Sequence, residues 1–326
     1  MPPESSNAAG TGAPLAASDQ LFNLAGLRAW ADERFPLAAT ALLLAVVYLS
    51  AVLYGRALTH DGALELSAAD LGGLLAAWSF FLMMRVLDEH KDYERDCDLH
   101  PDRVLQRGLV TLRQLRVLGF AAVAIQAIVS LWMDGGIGPV TSWWLITIAW
   151  VALTAKEFFL GSWLSQRLVL YTAVHLPIWS LAVLWMAQMG ARPEWLPLAA
   201  IWVAVLGFIL TSTVDLARKS APSELESAGS SSYADVLGAR GVALALGATL
   251  SAGSAIVAIA LRAAGEGSVV ADVVLALLLV PAGVAFTSYV HSPLDERANR
   301  RLRRTARVVL LAQLGVLSAT LFAGRA

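Results

Sequence analysis

Apolar stretches recur along the chain at lengths suited to crossing a bilayer. They lie near residues 37–54, 67–87, 116–133, 142–160, 167–188, 196–214, 238–261, 269–290 and 306–322. A hydrocarbon layer about 30 Å thick takes ~20 apolar residues of helix, and helices satisfy their own backbone within one segment. The pattern therefore predicts an all-α polytopic membrane protein, a bundle of about nine transmembrane helices. Residues 1–20 are rich in Ser, Ala, Gly and Pro and lack an apolar core, which predicts a disordered N-terminal tail and no signal peptide. Residues 21–35 read as a short amphipathic helix on the membrane surface. Residues 21–326 are expected to form a single transmembrane domain.

The connectors alternate in charge. The second carries Lys91, Arg95, Arg103, Arg107, Arg113 and Arg116, and the eighth carries Arg297, Arg300, Arg301, Arg303, Arg304 and Arg307. The sixth adds Arg218, Lys219 and Arg240, and the fourth Arg167. The first, fifth and seventh hold one arginine each, Arg56, Arg192 and Arg262, and the third holds none. The positive-inside rule places the even connectors and the N-terminus in the cytoplasm, and the C-terminus outside. Trp132, Trp143, Trp144 and Trp195 then fall near outer ends, where interfacial aromatics belong.

Composition agrees: mean hydropathy is +0.64, with 57% hydrophobic and 15% charged residues, an integral membrane profile. A single cysteine, Cys97, excludes a disulfide framework and a cysteine-based zinc cluster. A net charge of −1 gives no bulk attraction to nucleic acid. Lysine occurs only at positions 91, 156 and 219 among the 24 basic residues, a bias that, with abundant alanine, points to a GC-rich bacterial genome and a bacterial inner membrane.

Asp88, Glu89, Asp92 and Asp96 follow the second apolar run with no intervening turn residue. At about 100° per residue these carboxylates fall within roughly 100° of one helical face. Such a set is either a solvated charged loop or a site. Charge at bilayer depth costs roughly 2.5–3.5 kcal/mol on insertion scales, so it normally faces a polar cavity. Adjacent carboxylates repel unless protonated or joined by a cation. Oxygen-only ligands suit Mg²⁺, which takes one or two carboxylates plus phosphate oxygens. The following loop, with Pro101 and Gly108 as breakers, supplies Arg103 and Arg107, which serve either as contacts to a diphosphate or as topology signals.

These residues resemble the UbiA superfamily of intramembrane prenyltransferases. Its first signature is Asn-Asp-x-x-Asp-x-x-x-Asp at the cytoplasmic end of the second helix, followed by an Arg-Pro pair and a glycine. Asp88 stands at the Asn position, Glu89 at the first Asp, and Asp92 and Asp96 match; Arg103 matches the loop arginine, Val104 replaces its proline, and Gly108 matches the glycine. The superfamily's second motif, Asp-x-x-x-Asp after the sixth helix, is met by Asp215, but its second position is Lys219, a charge reversal on the same face. That lysine either contacts diphosphate directly or marks a single-metal or weakened site. Glu224 and Glu226 lie beyond Pro222 as loop residues or as ligands that fold back. Tyr233 and the Leu237-Gly238 pair resemble the family's entry to its seventh helix.

The resemblance implies a helical bundle around a central cavity, and Mg²⁺-dependent transfer of a prenyl group from a prenyl diphosphate to a small, electron-rich acceptor, expected to be aromatic. Asp88, Glu89, Asp92, Asp96 and Asp215 would be metal ligands. Arg103, Arg107, Lys156 and Lys219 would contact diphosphate. Asp92, Asp96, Asp215 and Lys219 would carry catalysis, and Arg34 would orient an acceptor carboxylate. Lys156 is alternatively a snorkelling lysine and Arg34 an interface marker. Asp70 reads as interfacial. His175 is a packing residue or a base, Pro177 a kink, and the Gly72-Gly73 pair a close helix contact. Two rivals remain: a terpene cyclase of the same superfamily, and a non-catalytic membrane protein or transporter, whose internal repeat would echo the two acidic motifs.

Overall fold

A computed structural model describes residues 23–164, 167, 170, 174–222 and 232–325. The tail expected over 1–20, the first part of the fifth apolar stretch, and Glu224 and Glu226 lie outside the described residues. Every described element is helical. In chain order they are α1 Leu24–Arg34, α2 Leu37–Thr59, α3 Ala68–Lys91, α4 Tyr93–Leu99, α5 Leu112–Asp134, α6 Pro139–Ala155, α7 Gly161–Leu164, α8 Pro177–Ala191, α9 Ile201–Arg218, α10 Tyr233–Ala263, α11 Val269–Leu277, α12 Leu279–His291 and α13 Glu296–Gly324, with single 3₁₀ turns at Glu157–Phe159 and Leu198–Ala200. Among the described residues seven helical stretches are long and apolar enough to span a membrane, and they coincide with the first, second, third and sixth to ninth expected spans. The chain is an all-helical integral membrane protein. The fourth expected span is the shorter apolar helix α6, of 17 residues, and the described helix of the fifth begins only at Pro177.

The breaks have chemical causes. Pro177 opens α8, where its missing N–H leaves no bond unmade. Pro281 has no N–H for the carbonyl of Leu277, and the eighth span divides there into α11 and α12. Inside α10, Gly238 adopts φ 67° and ψ 167°, a conformation open to glycine, so the first turn of α10 is set apart from its long remainder. After α6, Glu157, Phe158 and Phe159 are left-handed at φ 48°, 53° and 60°, at a cost of roughly 1–2 kcal/mol each. The Phe158 ring lies edge-on to Trp150 and to His175, at 5.5 and 6.2 Å between centroids. His175 is thus a packing partner in this turn.

The chain divides into two compact units. The first comprises Met1–Leu37 and Leu82–Ala121, the second Ala38–Phe81 and Ala122–Ala326. In the first unit, α1 buries Gly26, Trp30 and Ala31. Asn23 caps α1 through the Gly26 N–H, and its Nδ2 donates to the Leu109 carbonyl at 3.0 Å; Glu33 accepts the Val104 N–H at 3.0 Å. A Cβ on Gly26 would stand 2.1 Å from the Leu109 carbonyl oxygen. The apolar side of this helix is therefore covered by protein, where the sequence suggested a helix laid on the bilayer. Gly108, at φ 74°, closes the loop it packs on.

In the second unit, small residues set helix spacing. A Cβ on Gly55 of α2 would lie 1.9 Å from the Ala187 carbonyl oxygen, and one on Gly190 of α8 2.0 Å from that of Val52. The two helices touch backbone to backbone through this reciprocal pair. Gly73 makes room for the phenol of Tyr48, and Gly72 for the Trp132 ring. Polar side chains tie the other helices: the Gln313 amide donates to the Leu250 carbonyl at 2.8 Å and to Ser254 Oγ at 2.9 Å. Val242, Leu246, Tyr289, Leu302 and Ala306 form a core between α10, α12 and α13.

Gly55→Ala and Gly190→Ala should each destabilise the protein by about 2–3 kcal/mol or more, because neither carbonyl can move without its helix. Gly283→Ala in α12, where a Cβ meets nothing within 4 Å, should be neutral or stabilising by up to ~1 kcal/mol. Thermal unfolding in detergent separates the two classes.

Candidate functional site

The first acidic motif lies in the first unit. α3 ends at Lys91 and Asp92 is the N-cap of α4, at φ −95° and ψ 5°. The i to i−4 bonding continues across this point, from the Asp92 N–H to Asp88 and from the Asp96 N–H to Asp92, so the carboxylates keep their helical register. Their environments differ sharply. The Asp88 side chain is 56% exposed and lies 3.9 Å from Arg85, whereas that of Glu89 is 1% exposed. Glu89 Oε1 accepts from Arg34 Nε at 2.7 Å and from Arg85 Nη2 at 2.8 Å. Asp96 Oδ2 takes a short bond from Arg103 Nη1 and lies 3.9 Å from Arg34 Nη2.

Arg34 thus joins α1 to both acidic helices, in a ladder running Arg85, Glu89, Arg34, Asp96, Arg103. The cation demanded by these buried acids is supplied in the structure by guanidinium groups. Arg34 is placed on the acidic motif itself. Arg107, on the same loop as Arg103, is exposed. Asp92 is exposed at the surface and does not cap α4. Partial desolvation by the surrounding protein holds its carboxyl above the usual range, reinforced by Asp96 and Glu89 and opposed by Lys91 and Arg95.

Among the described residues no three His, Cys, Asp or Glu side chains gather closely enough to hold a metal ion by themselves. A magnesium ion that shares its shell with phosphate needs only one or two carboxylates. Glu89 Oε2 is buried without a hydrogen-bond partner, and with Asp92 it has the donor chemistry for that arrangement. Three further groups of this unit, which the motif comparison missed, hold buried polar atoms without a hydrogen bond: Arg85 Nε, His90 Nε2 and both amide atoms of Gln106. His90 sits inside the acidic run, its Nδ1 on the Val86 carbonyl at 2.8 Å. A lone histidine or glutamine carries no spacing signal of its own.

The second motif lies in the second unit, at the C-terminal end of α9. Asp215 accepts from Arg218 at 2.9 Å, from Lys219 Nζ at 3.2 Å and from the Tyr233 hydroxyl at 2.9 Å. The lysine that replaces the family's second aspartate is paired with the first, and stands 5.5 Å from the Tyr233 ring. The Tyr233 N–H bonds the Lys219 carbonyl and Ser232 bonds those of Lys219 and Ala221, so α10 is fastened to the end of α9. Among the described residues, two cations, Arg218 and Lys219, are paired with the Asp215 carboxylate. Lys156, the C-cap of α6, is exposed at the left-handed turn.

The same unit contains a cavity of about 220 Å³, whose walls include Leu43, Phe81, Trp179, Met186 and Leu310. The α9 wall is Gly207, Leu210, Thr211 and Val214, spaced i, i+3, i+4, i+7. That stripe continues at Asp215 and Arg218 by the same helical arithmetic. The apolar lining of α9 thus ends at Val214, and the charged residues of the second motif follow it within one turn. Asp70, in this unit, is buried and paired with Arg56 at 2.8 Å, while it accepts the Ser67 N–H at 2.6 Å; it fastens a loop.

No protein-family model and no curated protein matches the sequence. The fold is similar to that of a solved structure described as a digeranylgeranylglyceryl phosphate synthase in membranes, with a TM-score of 0.62 at 10% identity over 92% of this chain and 100% of that one. The chain shares that protein's fold.

Removing one partner from a buried ion pair costs about 3–5 kcal/mol, and from an exposed one about 0–1 kcal/mol. Glu89→Gln, which leaves Arg34 and Arg85 facing a neutral amide, should lower stability by about 3 kcal/mol, and Asp88→Asn by less than about 0.5 kcal/mol. Equal unfolding midpoints for the two variants would refute the division of the motif.

Proposed function

We propose that the chain is an intramembrane prenyltransferase that moves a prenyl group from a prenyl diphosphate to a small electron-rich acceptor. The observation that carries this reading is the apolar cavity whose α9 wall runs from Gly207 to Val214, directly before the ionic cluster of Asp215, Arg218 and Lys219 in the same stretch of chain. A prenyl diphosphate is an apolar chain ending in a concentrated anion, and this sequence of surfaces has the same order. The likeness to a synthase of digeranylgeranylglyceryl phosphate adds support, as do the residues that resemble UbiA signatures.

In the proposed reaction the bond between the allylic carbon and the diphosphate oxygen breaks, and the leaving oxygen keeps the electron pair. An acceptor electron pair forms the new bond, and the acceptor loses a proton. Lys219 and Arg218 bind the diphosphate and stabilise the growing charge on the leaving oxygen. Asp215, held by Tyr233, keeps both cations in place. Phe81 and Trp179, 4.8 Å apart between ring centroids, line the cavity, and aromatic rings there would stabilise a cation and keep water out. In the first unit, Arg103 and Arg34 hold Asp96 and Glu89, and Glu89 with Asp92 would hold Mg²⁺. When bound, that ion would supply neutralisation of phosphate charge at the first unit. The cytoplasmic side of a bacterial inner membrane is the proposed setting. The acceptor is proposed to be an aromatic ring; a glyceryl phosphate is the second reading, because it is named in the product of the structural neighbour.

Diphosphate release by the purified protein, with a panel of prenyl diphosphates, Mg²⁺ and either acceptor class, tests the proposal. Turnover should require an acceptor. A cyclic product from donor alone would make the protein a cyclase, and no release with any donor would remove the enzymatic reading. Asp92→Asn should lower turnover at least ~10²-fold with the unfolding midpoint retained. Lys219→Ala should raise the KM for donor about tenfold; an unchanged KM would mean that Lys219 serves Asp215 alone.

A further inference from the structure

α13 is longer than a bilayer requires. Its 29 residues extend about 43 Å, against a hydrocarbon layer of about 30 Å. The surplus is at its N-terminal end, where polar residues run from Glu296 to Arg307 before the apolar run starts at Val308. In those first turns Ala298, Asn299, Leu302 and Ala306 are buried, while Arg297, Arg300, Arg301, Arg304 and Arg307 are exposed. At 100° per residue the five arginines lie within an arc of roughly 120°, opposite the buried face and over about 15 Å of helix. Glu296 meets Arg300, and among the described residues Arg297, Arg301, Arg304 and Arg307 have no carboxylate partner.

Charges on neighbouring turns stand well within a Debye length of about 8–10 Å and repel one another. A face this dense in guanidinium draws anions. The helix that carries it continues directly into the membrane, so the anions it meets are those of the headgroup layer. Planar guanidinium groups pair with phosphate oxygens in two-pronged fashion, which lysine does not. Orientation by the positive-inside rule needs charge near the membrane, and does not require all of it on one exposed stripe.

We propose that the exposed arginine face of α13, formed by Arg297, Arg300, Arg301, Arg304 and Arg307, binds the phosphate headgroups of anionic phospholipid. The binding is independent of the proposed catalytic reading. It anchors the end of α13, the helix that contributes Leu310, Leu311 and Leu314 to the cavity wall.

The test is lipid retention by the full-length protein in detergent, counted by native mass spectrometry after incubation with an equimolar mixture of phosphatidylglycerol and phosphatidylcholine. The wild-type protein should retain phosphatidylglycerol over phosphatidylcholine by about tenfold, falling as salt is raised. The triple variant Arg297→Gln/Arg301→Gln/Arg304→Gln should lose most of that preference, and the corresponding lysine variant should keep a part of it. Equal retention of the two lipids by the wild-type protein, or an unchanged preference in the glutamine variant, would overturn the proposal and leave the arginines as orientation signals. Displacement of the lipid by inorganic phosphate would identify a free-phosphate site and also overturn it. The salt dependence of the wild-type protein decides the matter if the glutamine variant does not fold.

Discussion

A carboxylate withdrawn from water beside a bilayer persists only while a cation stays with it. That constraint organises the charged part of this protein. Arg34 stands between Glu89 and Asp96, and Arg85 and Arg103 complete the row. Because the row crosses from α3 to α1 to α4, the same pairing that neutralises the acids also holds three segments of the first unit together. The most buried member, Glu89, is held by two guanidinium groups within 2.8 Å, while the exposed Asp88 lies 3.9 Å from Arg85. Burial and pairing rise together, as desolvation demands.

The second unit repeats the arrangement at smaller scale. Asp215 is held by Arg218, Lys219 and Tyr233 at the end of α9, the helix whose residues Gly207 to Val214 line an apolar cavity. Lys219 stands where the resembling motif has a second aspartate, and among the described residues it is paired with Asp215. Chemical complementarity to a prenyl diphosphate, apolar along its length and anionic at one end, is the core of the functional proposal.

Much of the fold was legible because hydrophobic length is a strong signal in a membrane chain. Seven of the long apolar runs are long helices, and the breaks at Pro177 and Pro281 follow from missing N–H groups. The turn after α6 was not legible: Glu157, Phe158 and Phe159 have no preference for left-handed backbone, and the ring packing of Phe158 depends on residues distant in sequence. Gly55 and Gly190 escaped notice for a similar reason, since a glycine's purpose at a close approach is visible only with its partner present. Gly72 and Gly73, adjacent in sequence, advertised themselves. The acidic residues of the site stood out by spacing, but their pairing did not. Arginines near a membrane have a second explanation in topology, so Arg34 and Arg85 could not be matched to Glu89 from the sequence. The helix α1 shows the limit of amphipathicity, which reports that one face is covered and leaves open whether lipid or protein covers it.

The central claim is that a prenyl diphosphate lies with its chain in the cavity of the second unit. Photolabelling with a prenyl diphosphate bearing a diazirine on its chain, with peptides mapped by mass spectrometry, addresses this most directly. The account predicts labels on cavity residues such as Trp179, Leu210, Val214 and Leu310, displaced by unlabelled prenyl diphosphate and not by the corresponding prenyl alcohol. Labels confined to other surfaces, or equal displacement by the alcohol, would contradict it.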